Sequence, residues 1–429
     1  MILITGGLAS GKRAFVRSLG FTDADMSVDA LDTKPALCDA QKLVRRGVSG
    51  ADLPALAERI ATRKQVVICC EVGNGIVPVD PGERAWRERV GLLSQELAAR
   101  ADAVVKMTCG IPQAVKGVLP ATETEVVIMR HGACDANERH EYVGATDLVL
   151  TEHGEVEARA AGVCPQVATV YVSPLSRAWR TARICFPNAR HVVMDGLREM
   201  DFGIFEGRSA DDMADDMAYR KWVDGRCEGR CPGGEQRTDL VARVSQALTT
   251  IVRDVLLRGE QRAVIVGHGG TIMAALDTFC TSERGYFDWQ VGNCEGYRAR
   301  ARFIDGRLTL DREQRFVDLA FMGYVPVEGG PDASDLTDHP QPGAMFFANT
   351  ACEHFPCHEG IDPRDFNCLF CYCPLYALGP ECGGDFICSA SGRKSCVNCT
   401  LPHVRENGAK LVAARYARIA ALAAIDVSQ

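Results

Sequence analysis

No histidine precedes position 131 in this 429-residue chain, although nine occur in all. Its first third therefore has no imidazole to offer as nucleophile, base or metal ligand. A run of about 18 apolar residues, enough to span a bilayer, is also missing. The opening Met-Ile-Leu-Ile-Thr-Gly-Gly has neither the basic start nor the small-residue cleavage site of a secretory leader. Positive charge is in deficit, with 48 Lys and Arg against 56 Asp and Glu, a net charge of −8 and a pI near 5.7. That balance gives no footprint for nucleic acid or anionic lipid. The expectation is a soluble cytoplasmic protein, without nucleic-acid or membrane partners, that works on small molecules and touches other proteins.

What is present is apolar enough, at 47%, to bury more than one core, so two to four domains are expected. The chain centres on Val126-Val127-Ile128-Met129-Arg130-His131-Gly132-Ala133-Cys134. Such an apolar run reads as a buried parallel strand, which delivers Arg130 and His131 at its carboxyl end, where ligands bind in open α/β sheets. A guanidinium grips phosphoryl oxygens, and a neutral imidazole can attack phosphorus. Strand and helix patterns alternate from there to about 328, which implies a mostly parallel sheet covered on both faces. Arg177 follows the strand Val167 to Val172 as a second clamp. His268 follows Val264-Ile265-Val266 as a further donor. Glu199 is the first candidate for the acid that protonates the departing alcohol, with Asp201 the alternative and an ion pair with an arginine the bland reading of Glu199. Cys134, Trp179 and Phe202 read as core, and His140, His153 and His191 as ordinary histidines.

Beyond Arg-His-Gly the segment carries Asn137, Gly144-Ala145-Thr146-Asp147, Leu150-Thr151-Glu152-His153-Gly154, Ser173-Pro174-Leu175 with Arg177-Ala178 and Thr181-Ala182, Phe202-Gly203 with Glu206-Gly207, Pro232-Gly233-Gly234-Glu235, and Gly267-His268-Gly269-Gly270. In this order and spacing it resembles the histidine phosphatase superfamily, which includes the cofactor-dependent phosphoglycerate mutases. The resemblance implies a three-layer α/β/α fold. It also implies His131 as the nucleophile that becomes phosphohistidine, Arg130, Arg177 and His268 as phosphate ligands, Glu199 as proton donor, Asn137 in the substrate pocket, and no cofactor for that step. Ala133-Cys134 replaces the Glu-Thr or Glu-Ser usual in that family.

Residues 1–120 open with a strand, Ile2 to Thr5, followed by Gly6-Gly7-Leu8-Ala9-Ser10-Gly11-Lys12 and a helix, the context a phosphate-binding loop requires. Gly6, Gly7, Ser10, Gly11 and Lys12 are its candidate nucleotide ligands. The next residue should carry a hydroxyl for magnesium, and Arg13 cannot ligate a cation. Farther on stand Glu71-Val72-Gly73-Asn74-Gly75-Ile76-Val77-Pro78, Leu97-Ala98-Ala99-Arg100-Ala101-Asp102 and Gly110-Ile111-Pro112 with Lys116-Gly117. Together these resemble the adenosylcobinamide kinase and adenosylcobinamide-phosphate guanylyltransferase of cobalamin synthesis, a P-loop α/β family. That family guanylylates a histidine which this stretch lacks, so a degenerate domain is expected that binds ATP, GTP or a corrinoid. Glu71 reads either as part of such a site or as a cap on a buried loop.

Cysteine is crowded at the other end: nine of 20 fall between Cys352 and Cys399. After a linker at 329–343, residues 344–429 place Cys352, Cys357, Cys368, Cys371, Cys373, Cys382, Cys396 and Cys399 as candidate metal ligands, two pairs of them in Cys-x-x-Cys knuckles that suit tetrahedral zinc. So small a segment needs such a staple to fold. It resembles the cysteine-rich small domain, a metal-binding module found alongside cobalamin-related genes, and Ala409 to Ala424 reads as a closing helix. The whole is thus expected to be an α/β chain: a P-loop domain at 1–120, a phosphatase domain at 121–328 and a small cysteine-rich domain stabilised by metal. The expected substrate is α-ribazole 5′-phosphate or adenosylcobalamin 5′-phosphate. Alternatives are a generic phosphomonoesterase or mutase, a protein that keeps adenosylcobinamide kinase activity, and a corrinoid- or metal-binding scaffold for other enzymes of the pathway.

Overall fold

The computed structural model describes residues 1–45, 52–323, 387–388 and 394–395. The chain divides into two compact units, Met1–Val327 and Glu328–Gln429. In the second, Ile387–Cys388 and Lys394–Ser395 pair antiparallel. All eight expected zinc ligands, and the expected helix from Ala409, lie outside the described residues.

The first unit holds two six-stranded sheets. One is built from β1 (Ile2–Gly6), β2 (Met26–Ser27), β3 (Ala36–Leu37), β4 (Val66–Ile68), β5 (Ala103–Thr108) and β6 (Ile111–Lys116), in the order β2-β3-β4-β1-β5-β6. Only β6 runs antiparallel, returning from β5 through a tight turn. Helix α1 (Lys12–Ser18) follows the glycine-rich loop, while α2 (Leu53–Arg63) and α3 (Pro81–Arg100) cover the sheet with Leu56, Ile60, Leu93 and Leu97 turned inward at helical spacing.

The second sheet has the order β12-β11-β7-β10-β8-β9, from β7 (Glu123–Arg130), β8 (Thr169–Val172), β9 (Arg190–Val193), β10 (Arg262–Gly267), β11 (Gly296–Ile304) and β12 (Arg307–Phe316). The four strands from β7 to β9 are parallel, and β11 and β12 add an antiparallel edge that sequence periodicity had not revealed. The polar stretch Thr122 to Glu125 mostly belongs to β7. Its carboxylates are matched across strands, Glu125 by Arg262 at 2.6 Å and Glu123 by Arg300 at 3.7 Å, so polar residues extend the strand. Helices α4 (Asp135–Glu138), α5 (Glu152–Ala161), α6 (Ser176–Cys185), α7 (Met217–Asp224), α8 (Arg237–Leu257) and α9 (Gly269–Phe279) complete the unit. The inward stripe of α8, Leu240, Val244, Leu248, Ile251 and Val255, packs with the sheet residues Ile128, Tyr171 and Ile265.

The two sheets share one apolar cluster. Ile4, Val16, Leu19 and Phe21 from the first meet Leu248, Val252 and Phe303 from the second. Arg253 seals the joint: its guanidinium donates to the Gly20 carbonyl at 2.6 Å and lies 4.6 Å over the Phe21 ring. Gly20 has φ +92°, and a β-carbon there would stand 2.6 Å from the Phe303 ring. Only glycine combines that conformation with that approach. Residues 1–120 and the phosphatase-like segment therefore keep separate sheets but pack as one unit. Trp179, expected in the core, is 36% exposed under the Arg183 guanidinium.

Candidate active site

Four of the expected residues reach the site because three buried strands end beside them. Strand β7 ends at Arg130 and presents His131, β8 leads through Ser173 to Arg177 on α6, and β10 leads to His268 ahead of α9. Parallel pairing of β7, β10 and β8 brings these three ends together. The His131 and His268 rings lie 5.0 Å apart, edge to face, and both are buried, as is Arg177.

The ring hydrogen bonds decide what each imidazole can do. His131 Nδ1 lies 2.7 Å from the Gly132 carbonyl, which can only accept, so Nδ1 carries the proton and Nε2 keeps a free lone pair. Burial first, then the positive charge of Arg177 and Arg130, hold its pKa well below the ordinary 6.5. His268 bonds the Ser173 hydroxyl through Nε2 at 2.8 Å, and burial with the neighbouring His131, Arg177 and Arg130 depresses its pKa too. Burial and these neighbours thus favour the neutral form of both rings.

The cations are held by backbone. Arg177 donates to the carbonyls of Thr146 and Gly144, each at 2.8 Å, and Arg130 to that of Val291 at 2.8 Å. Arg130 Nε, Arg177 Nε and His268 Nδ1 are buried without a protein partner. Uncompensated buried polar atoms are costly, and two of these belong to the guanidiniums whose charge reaches His131, an arrangement that suits an anion.

Glu199 makes no ion pair within 4 Å among the described residues, while its charge is felt by Arg130 and Arg177. Its carboxylate accepts from Gly270 N at 2.9 Å and Met200 N at 2.8 Å. A β-carbon on Gly270 would sit 2.2 Å from Glu199 Oε1, so the last glycine of Gly-His-Gly-Gly makes room for this carboxylate. Asp201 instead accepts from Gly203 N at 2.9 Å and does not line the cavity that Arg130 and Glu199 share. That cavity has a volume of 580 Å³, and Asn137 lines it as expected. Cys134 is fully buried against Ala136 and Val143, a small core filler.

Other residues escaped sequence reasoning. Arg243 on α8 donates to Glu235 at 2.8 and 2.7 Å and to the Glu199 carbonyl at 2.8 Å, fixing the loop that carries the acid. An arginine beside the stripe of α8 was the available signal. Glu206 caps Ala145 N and Thr146 N at 2.7 Å, which holds the loop bonded by Arg177. His140, Arg237, Tyr286 and Phe287 also line the cavity, and Phe202, expected in the core, is a half-buried part of its wall. These lie on loops and helix starts, where periodicity is silent.

The glycine-rich loop is tied by its own lysine. Lys12 is buried, its ammonium donating to the Gly6 and Gly7 carbonyls and to Ser10 Oγ at 3.3 Å. Arg13, where a hydroxyl would be needed, pairs with Asp39 at 3.2 Å. Glu71 lies 3.4 Å from Lys106 and accepts from Asn74 at 3.0 Å, a loop tie. Among the described residues no cluster of three or more metal-ligating side chains occurs, and no helix is long and apolar enough to cross a membrane.

Comparison with known proteins places three family models along the chain in order. Residues 45–115 match cobinamide kinase / cobinamide phosphate guanyltransferase, a stretch that starts after the glycine-rich loop. Residues 126–312 match the histidine phosphatase superfamily (branch 1), and residues 344–424 the cysteine-rich small domain. The chain is 34% identical over 161 residues to a protein of Erwinia tasmaniensis named "Probable phosphoglycerate mutase GpmB", covering 36% of this chain and 74% of that one. Among solved structures it resembles an Escherichia coli K-12 protein provisionally called an alpha-ribazole-5′-P phosphatase, at 23% identity, 46% of this chain, 98% of that chain and TM-score 0.38. It also resembles the phosphoglycerate mutase of Bacillus anthracis, at 20% identity, 48% and 96% coverage and TM-score 0.39.

Proposed function

The chain belongs to the histidine phosphatase superfamily, and from that premise we propose that residues 121–328 form a phosphomonoesterase working through phosphohistidine at His131. The observation that carries this is that His131 Nε2 keeps a free lone pair while Arg130 Nε, Arg177 Nε and His268 Nδ1 are buried without a partner. Three donors suit three phosphoryl oxygens. If the Ser173 hydroxyl donates to His268 Nε2, the neutral ring carries its proton on Nδ1 and donates it to phosphate. His131 Nε2 then forms the bond to phosphorus as the phosphorus–oxygen bond to the alcohol breaks, and Glu199 gives that oxygen its proton. Water cleaves the phosphorus–nitrogen bond, its proton returns to Glu199, and inorganic phosphate leaves.

The substrate we assign is a phosphate of the nucleotide-loop stage of cobalamin assembly, α-ribazole 5′-phosphate or adenosylcobalamin 5′-phosphate. The support is the company the domain keeps: the cobinamide-kinase match before it and the cysteine-rich small domain after it. Nothing in this step calls for a cofactor. In the first domain Lys12 and the glycine-rich loop suit ATP or GTP phosphates, whereas Arg13 leaves magnesium without a hydroxyl ligand, so nucleotide binding without phosphoryl transfer is the proposed state. The eight clustered cysteines are proposed to hold structural zinc.

A mutase is the second reading, favoured by the name of the curated relative. Purified protein is to be assayed for phosphate release from α-ribazole 5′-phosphate, sugar phosphates and 3-phosphoglycerate, and for phosphohistidine trapped on acid-free quenching. Phosphate release that disappears in His131→Ala supports the phosphatase. Full activity in that variant sinks it, and conversion of 3-phosphoglycerate to 2-phosphoglycerate without phosphate release establishes the mutase.

A further inference from the structure

Glu199 stands between two cavities. One is the catalytic cavity it shares with Arg130, and the other is a separate chamber of 230 Å³. Among the described residues no other lines both. The two differ in character: rings such as Phe202, Trp222 and Tyr286 wall the catalytic cavity, whereas seven of the nine residues around the chamber are charged. A chamber of that size has room for several waters at roughly 30 Å³ each, and its polar walls suit them. Ala145 at its rim is exposed, and the side chains of Arg230 and Asp239 are 56% and 41% exposed, so the chamber reaches solvent.

Most of the charges around it are matched. Arg198 pairs with Asp195 at 3.0 Å, Arg230 with Asp239 at 2.6 Å and Arg243 with Glu235 at 2.7 Å. Glu199 and Asp201 are the two that make no ion pair within 4 Å among the described residues. Asp201 Oδ1 accepts from Gly203 N at 2.9 Å, which leaves Oδ2 for another donor. Each Glu199 oxygen accepts one backbone N–H, from Met200 on Oε1 and from Gly270 on Oε2, and keeps a lone pair for a hydroxyl or a water. Two glycines let the wall close. A β-carbon on Gly203, at φ +54°, would stand 2.2 Å from the Pro232 carbonyl oxygen, and one on Gly234 would stand 2.3 Å from that of Asp201. The loop carrying both carboxylates is thereby held against the 232–235 turn, with Glu235 N bonded to the Asp201 carbonyl at 2.8 Å.

We propose that this chamber is the route by which the hydrolytic water reaches phosphohistidine, with Asp201 as the residue that positions the water beside Glu199. This rests on the phosphatase reading and adds the water supply of its second step. Once the phosphorus–oxygen bond has broken, the alcohol occupies the catalytic cavity on the face of phosphorus that water must attack. Water arriving through that cavity has to wait for the alcohol to leave, and meanwhile the alcohol can take the phosphoryl group back. Water held by Asp201 Oδ2 needs only the alcohol oxygen to move aside. Its oxygen forms the new bond to phosphorus as the phosphorus–nitrogen bond breaks, its proton passes to the Glu199 carboxylate, and the electron pair of the broken bond returns to His131 Nε2. The chamber thus favours water over a second alcohol as acceptor, which is what separates a phosphatase from a mutase.

The test is rapid-quench kinetics of the full chain on p-nitrophenyl phosphate, with and without added glycerol as a competing acceptor. The burst of p-nitrophenolate reads formation of phosphohistidine, release of inorganic phosphate reads its breakdown, and glycerol phosphate reads transfer to an alcohol. Two variants are compared with the wild type. Asp201→Asn keeps an oxygen for Gly203 N but turns the free carboxylate oxygen into a donor, and Ala145→Leu narrows the exposed rim without touching Glu199 or Asp201. In both, breakdown should slow about tenfold or more, the scale of one hydrogen bond to a charged group, while formation stays within about twofold. The share of phosphoryl passed to glycerol should rise by a similar factor. An unchanged breakdown rate in both variants, or equal losses in formation and breakdown, overturns the proposal while leaving the phosphatase intact. Absence of phosphohistidine in the wild type, with p-nitrophenyl phosphate and with α-ribazole 5′-phosphate alike, overturns the phosphatase reading itself, and this proposal with it.

Discussion

Replacing Gly270 with alanine should separate the proton-donating role of Glu199 from everything else in the site. The new methyl carbon would arrive 2.2 Å from Glu199 Oε1, against the roughly 3.0–3.4 Å at which real β-carbons begin to make contact, so the carboxylate must retreat by about 1 Å. Gly270 N loses the alignment of its 2.9 Å bond to Oε2 in the same movement. The helix should not object, since alanine is the better helix former by about 1 kcal/mol and position 270 lies in the first turn of α9. A misplacement of about 1 Å costs on the order of 100-fold, inside the range of about 10² to 10⁴ that a general acid contributes. A 100-fold fall in kcat is therefore expected on an alkyl phosphate, whose alkoxide cannot leave unprotonated. On p-nitrophenyl phosphate, whose phenolate leaves without a proton, the fall should be only a few-fold. Steady-state assays on both substrates, with circular dichroism to confirm folding, decide the matter. Equal losses on the two would refute Glu199 as the acid.

Three further outcomes are expected. The native pKa values of His131 and His268 lie below their ordinary 6.5, so the unfolded chain binds more protons between the two values. Stability should thus be insensitive to these rings above pH 6.5 and fall as pH drops from 6.5 towards the native values. Urea midpoints measured across that window should lose part of their slope in the double variant His131→Asn, His268→Asn, and an identical slope would count against the burial argument. Gly20→Ala combines left-handed strain with a 2.6 Å clash on Phe303 and should cost about 2–4 kcal/mol, read as a lower denaturation midpoint in the full chain. An unchanged midpoint would mean that the two sheets do not depend on their shared cluster. Chelation should release zinc and expose residues 344–429 to protease while phosphatase activity persists; a metal-free preparation equally resistant to protease would remove the structural-metal proposal.

Much of the candidate site was legible in the chain because most of its members stand where a short apolar strand ends. Arg130, His131 and His268 could be picked out by that rule, and Arg177 by the helix that starts just after one. Glu199 and Asp201 could not be separated by sequence, since two carboxylates two residues apart look alike until a loop turns one towards Gly270 and the other towards Gly203. The edge strands β11 and β12 were missed because their arginines and carboxylates answer one another across the ladder, as Arg300 does Asp311 at 2.7 Å, and so hide the alternation of an exposed strand.

By itself, then, the sequence determined the chemistry on offer: imidazoles, two guanidiniums, a pair of carboxylates, a glycine-rich loop without a magnesium hydroxyl and a crowd of cysteines. Those follow from residue type and local order, which no folding event can change. Only the tertiary structure decided which nitrogen of His131 is free, because the Gly132 carbonyl that holds the other is placed by the turn after β7. It alone joined the first domain to the second through Arg253 and Phe303, and it alone set Tyr286, Phe287 and Arg237 around the cavity. Burial, tautomer and cavity wall depend on groups brought together from distant parts of the chain, and contacts of that range leave no periodic mark on either partner.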